Sequence, residues 1–184
     1  MSNVLSHITA ALLAVLLLFL FPAMQSAQRE EDFRALAAYN SLMQFTDAVR
    51  NKGYISPDMY EDFAGELEAA GAVYDIELEH RHKKYHPEYD DPADSGTFKG
   101  DFTVVYDAYY TQDILPVIFP SSSAASDPGL RRYKLEAGDY LKVTLERRSR
   151  SSFDVFSDVL YGLTPGSGIT QHLSYGGMVL NEDY

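Results

Sequence analysis

Three histidines stand close together in the stretch Glu79-His-Arg-His-Lys-Lys-Tyr-His86. Imidazole nitrogens are common ligands of divalent transition metals. On a strand, residues 80 and 82 project from one face, so the rings of His80 and His82 can reach a single ion. His86 follows on the same parity, and Glu88, Asp90 or Asp91 could supply an oxygen. The competing reading is a polar strand end running into a loop, with Lys83 and Lys84 repelling a cation. That reading is preferred. His80, His82 and His86 are the metal candidates of this chain, yet no bound metal and no cofactor is expected.

Other chemistry is thinly represented. Asp90-Asp-Pro-Ala-Asp-Ser-Gly96 is acidic, but it lacks the alternating ligand spacing and terminal bidentate Glu of an EF-hand. It reads as a solvated turn. Ser121 to Ser123 have no nucleophile-elbow glycines around them. Gly176-Gly177 is an isolated pair, suited to a bulge or turn and not to cradling a phosphate. The chain has no cysteine, which excludes disulfides, thiolate catalysis and Cys-based zinc sites. No catalytic residue is assigned, and the chain is not expected to be an enzyme.

Charge narrows the partners. The net charge is -12, which would repel a phosphate backbone, so nucleic acid is not an expected partner. Residues 29–130 carry eight basic and twenty acidic side chains, whereas residues 131–150 carry seven basic and three acidic. Such an imbalance reads as solvated faces, or as complementary patches on neighbouring copies in an assembly.

Several elements must position these residues. Val4 to Met24 is apolar, with an unbroken run from Ala10 to Phe21. Its side chains Leu12, Leu13, Val15, Leu16, Leu17, Phe19, Leu20 and Phe21, followed by Pro22, are the expected membrane-anchoring and assembly residues. With its flanks the segment approaches the ~20 residues that a bilayer core requires, and in lipid it must be helical. A cleaved signal peptide competes with this reading. The lack of Lys or Arg before the run, and Gln25 three residues before a cut after Ala27, favour an uncleaved anchor. The division is therefore an anchor over 1–28 and an exported domain over 29–184. The protein is expected in the cell membrane as a single-pass chain in contact with the lipid bilayer, the bulk of it extracytoplasmic.

Beyond the anchor, residues 29–50 continue as a helix with Phe33, Leu36, Tyr39 and Met43 as its apolar face. Pro22 should kink it and Gly53 should end it. A second helix follows Ser56-Pro57, with Met59, Phe63, Leu67 and Ala70 as its stripe. Period-two alternation marks strands over 74–82, 102–110 and 141–146, with a loop over 87–100. Thr111 to Phe119 suits one or two helical turns, and Pro120 to Gly129 is a Ser-rich loop. Ser151 or Ser152 caps a short helix through Phe153, Phe156, Leu160 and Leu163, stopped by Gly162 and Pro165. Ile169–Leu173 and Met178–Leu180 suggest closing strands on either side of the Gly pair. The expected class is α+β: a transmembrane helix continuing into a long helix, and a small antiparallel sheet of about four strands packed by helices.

Three segments carry a resemblance. They are Asp47-Ala-Val-Arg-Asn-Lys-Gly-Tyr-Ile-Ser-Pro-Asp-Met-Tyr-Glu-Asp-Phe63, Val73-Tyr-Asp-Ile-Glu-Leu-Glu-His80 and Gly176-Gly-Met-Val-Leu-Asn-Glu-Asp183. With the N-terminal segment, they resemble uncharacterised membrane-anchored, pilin-like proteins associated with Tad and type IV pilus-like clusters of Firmicutes-type bacteria. The resemblance implies a minor pilin-like or pseudopilin-like structural or assembly subunit. Its implied partners are other pilin-like subunits or assembly-platform proteins. Residue 5 is Leu where type IV pilins carry Glu, and no basic leader stands before the apolar run. The likeness therefore does not extend to leader processing, and a fixed component of the assembly machinery remains open. The alternative function is a membrane-anchored extracytoplasmic binding module with no filament role.

Overall fold

A computed structural model describes residues 2–120, 131–162 and 172–182. The longest element is α1, Ser2–Lys52, about 75 Å of continuous helix. No glycine interrupts the sequence before Gly53, and Leu and Ala dominate its first half. Pro22 lies inside α1, which continues on both sides of it without a break. Gly53 closes the helix in the left-handed conformation (φ 69°), its N–H donating to Val49 O at 2.8 Å. The C-terminal segment completes that cap. Leu180 N–H donates to Arg50 O and Glu182 N–H to Asn51 O, satisfying carbonyls that the helix end leaves open.

The two halves of α1 have different surroundings. The apolar N-terminal segment is long and apolar enough to cross a membrane, and among the described residues nothing buries its apolar window. The C-terminal half packs through Ala38, Leu42, Phe45 and Val49, with Thr46 beside them. This corrects the expected face. Phe33 and Leu36 are exposed, and Tyr39 and Met43 are only partly buried. The buried set recurs at four, three and four residues, on roughly the opposite side of the helix from the expected one. Ala38 and Thr46 are small or polar, so a search for large apolar side chains passes over their face.

Gly53 leads through a two-residue strand, β1 (Tyr54–Ile55), into α2, Pro57–Ala69. Ser56 caps α2, its hydroxyl accepting from Met59 N–H at 3.3 Å. Phe63 and Leu67 turn inward, and the Phe63 ring stacks on Phe45 of α1 at 4.4 Å between centroids.

The main sheet holds β2 (Tyr74–Tyr89), β3 (Phe98–Tyr110), β5 (Tyr140–Arg147) and β6 (His172–Met178) in the order β3-β2-β5-β6, all antiparallel. A short helix α3, Thr111–Ile118, follows β3, and β4 (Tyr133–Lys134) pairs with β1 in a small second sheet. The core is Leu78 of β2, Leu141, Val143 and Leu145 of β5, Ile114 and Ile118 of α3, and the buried face of α1. The expected alternation in β5 is observed. Helix α4, Ser152–Tyr161, carries the expected cap: Asp154 N–H donates to Ser151 Oγ and Ser151 N–H to Asp154 Oδ2. Arg147, at the end of β5, ties the layers together through Glu31 of α1 and Asp154 of α4.

Two strand assignments are corrected. Residues 87–89 and 98–100, expected in a loop, belong to β2 and β3, and a short 3-10 turn at Ser95–Thr97 joins them. β5 pairs with β2 only as far as Arg81, so the outer part of the β2–β3 hairpin projects as a two-stranded arm. Lys83 N–H turns towards the side that β5 has left. By the period of two, the Pro87 nitrogen faces that same open side, where no ladder bond is lost. The Gly pair, expected as a bulge or turn, lies inside one regular strand, with Lys142↔Gly176 and Leu141↔Gly177 in register. A Cβ on Gly176 would stand 2.6 Å from Leu141 O, so the close approach of β6 requires glycine. The expected loop over 121–129, the stop at Pro165 and the strand start at Ile169 lie outside the described residues.

Candidate functional site

The ladder between β2 and β5 determines which groups meet. Its last pair is Arg81↔Tyr140, which sets residue 139 beside residue 82. Asp139 is held there by the turn before β5, in which its N–H donates to Glu136 O at 3.1 Å and Gly138 takes φ 96°. Its carboxylate side chain is 2% exposed. Four donors surround the two oxygens. His80 Nε2 is 2.8 Å from Oδ2 and His82 Nδ1 is 2.9 Å from Oδ1. Glu136 N–H donates to Oδ2 at 2.8 Å and Lys83 N–H to Oδ1 at 3.0 Å. The Lys83 N–H is the group that the end of β5 would otherwise leave without a strand partner.

His80 is equally enclosed, at 3% exposed. Its Nδ1 lies 2.7 Å from the Tyr133 hydroxyl, and the Tyr109 ring stacks against it at 5.6 Å. An ionised Asp139 can only accept, so His80 donates from Nε2, while its Nδ1 accepts from the Tyr133 hydroxyl if the ring is neutral and donates to that oxygen if it is protonated. His82 donates from Nδ1, and its side chain is 22% exposed, the most open part of the cluster.

Electrostatics agree with that arrangement. Burial pushes the Asp139 carboxyl up, but the N–H groups of Lys83 and Glu136 together with His80 outweigh it and hold it below its ordinary range. Tyr133 moves the other way. Its burial, with Tyr109 and Asp139 close by, pushes the phenol up to about 12. Tyr133, His80 and Asp139 thus have the connectivity of a hydroxyl–imidazole–carboxylate relay, but the hydroxyl is made less acidic, the opposite of what a nucleophile needs. The arrangement suits holding strands or an ion better than acyl transfer.

Of the three candidate histidines, the structure brings His80 and His82 together and leaves His86 exposed in the arm, opposite Thr103. The oxygen expected from Glu88, Asp90 or Asp91 comes instead from Asp139. Glu88 accepts from Thr103, and Asp91 accepts from Ala93 N–H in its turn. Asp139 was legible only as a turn residue. The missed signal was that an antiparallel β2–β5 pairing sets it beside His82. The anchor candidates Leu12, Leu13, Val15, Leu16, Leu17, Phe19 and Phe21 are exposed on α1, as is Pro22, while Leu20 is partly covered. Compared with protein-family models, curated proteins and solved structures, the chain matches none.

Proposed function

We propose that this protein is a single-pass, membrane-anchored subunit of a Tad or type IV pilus-like assembly, acting as a minor pilin-like or pseudopilin-like component. One observation carries the reading. A single unbroken helix is bare and apolar in its first half, and in its second half forms the spine of an antiparallel head domain. A bare apolar helix needs apolar surroundings, and lipid or neighbouring helices supply them equally well. The continuity of α1 couples the head rigidly to whatever packs around the anchor. The bulk of the chain lies on the extracytoplasmic side in this reading, and its partners are the bilayer, other pilin-like subunits and platform proteins.

The projecting arm favours a second reading, an anchored binding module with no filament role. Phe102, Val104, Tyr106 and Tyr85 expose apolar surface there, with no covering element among the described residues. Cross-linking separates the two. The chain has no native cysteine, so two cysteines per chain on different faces of the anchor, at Leu12 and Leu17 or at Leu13 and Leu18, report helix neighbours without background. Oxidation in native membranes should give a ladder of cross-linked species from at least one of these pairs, since each chain can then bond to two neighbours. Monomers and dimers alone from both pairs would discard the filament reading and leave the binding module.

A further inference from the structure

We propose that His80, His82 and Asp139 form a binding site for one divalent transition-metal ion, with zinc the best match to the donors. His80 and Asp139 are buried and His82 is half-buried, and one ligand atom from each lies within 4.8 Å of the others. Two imidazole nitrogens and a carboxylate oxygen are a zinc donor set, and the fourth position falls to water.

Three features distinguish the cluster from a chance meeting of polar groups. First, the carboxylate is already oriented. Each oxygen spends one lone pair on a backbone N–H, from Lys83 or Glu136, and presents another to an imidazole nitrogen. Second, His80 has the outer partner that a metal-bound imidazole requires. With Nε2 on the ion, its proton resides on Nδ1 and is donated to the Tyr133 oxygen at 2.7 Å. Third, the half-open His82 side provides an entry path. Binding exchanges two N–H···O bonds for metal–ligand bonds of about 2.0–2.2 Å. Each ligating nitrogen gives up its proton to make room for the ion: in a neutral ring it moves to the other nitrogen, Nδ1 of His80 or Nε2 of His82, and from a protonated ring it goes to solvent. The ion joins β2 to the turn before β5 at the point where the arm leaves the sheet.

The test uses the full-length chain in detergent micelles, stripped with chelator and titrated with Zn²⁺ in a calorimeter. The expected result is one Zn²⁺ per chain. His82→Ala should weaken binding by more than about 100-fold, and Tyr133→Phe, which removes only the outer partner, by about 10–100-fold. His86→Ala should bind as the unaltered chain does. Absence of stoichiometric binding, survival of binding in His82→Ala, or its loss in His86→Ala would overturn the proposal. An arm needing no variant is the ring-nitrogen NMR spectrum of the five histidines. Zn²⁺ should shift the His80 and His82 resonances and leave those of His7, His86 and His172 in place. Any other pattern counts against the site.

Discussion

At the scale of single residues, Asp139 does more than any other side chain to join distant parts of the chain. It receives His80, His82 and the backbone of Lys83 from β2, and the backbone of Glu136 from its own turn. Removing it takes the acceptor from two imidazoles and two N–H groups, of which His80 is buried. Asp139→Ala in the metal-free chain should therefore cost more than about 1–3 kcal/mol in urea denaturation, the range for leaving a buried hydrogen-bonding group without its partner. Asp139→Asn keeps the shape and one acceptor and should cost less. An alanine variant as stable as the unaltered chain would mean that the cluster contributes nothing to holding the strands. The histidine half of this cluster was legible in the sequence, because residues two apart on a strand share a face. The carboxylate was not, because it lies 57 residues from His82 and 59 from His80.

At the scale of elements, local signals were dependable at the ends of helices. Ser56, Pro57, Gly53, Ser151, Asp154 and Gly162 all stand where the sequence placed them, because a cap is a bargain between residues three or four apart. Faces and strand continuity were less dependable. The buried side of α1 is decided by which face the sheet approaches, and alternation alone does not give it. Glycine shows the same division. Gly176 lies against β5 and Gly65 lies on the open side of α2, though both are simply glycines inside regular elements. Gly176→Ala should force β6 away from Leu141 O and cost about 1–3 kcal/mol. Gly65→Ala, with nothing within 4 Å of the new Cβ, should stabilise by about 0.5–1 kcal/mol. Paired thermal melts of the two variants check both signs. Equal effects would mean that β6 is not packed as closely as described.

At the scale of the whole molecule, one helix is bare and apolar in its first half and packed in its second, and the two halves meet near Glu31. Glu31 pairs with Arg147 at the end of β5, a few residues beyond the bare segment. The head is thereby tied to α1 close to where the apolar half begins. The proposed anchoring predicts that Leu16→Arg, at the centre of the bare segment, raises the cost of insertion by roughly 2.5–3.5 kcal/mol. Its measure is the fraction of protein retained in carbonate-washed membranes, which should fall while the fold of the head, read by circular dichroism, stays the same. Retention equal to the unaltered chain would remove the case for an anchor. The sequence by itself determined the long helix, its caps, the strand-forming segments and the α+β class. Each depends on neighbours a few residues apart, or on a continuous run of one character. Tertiary structure alone decided the buried face of α1, the projecting arm, the single strand through Gly176-Gly177 and the meeting of His80, His82 and Asp139. These depend on how strands pair across long stretches of chain, and pairing register is determined by the packing of the whole core, which no local pattern contains.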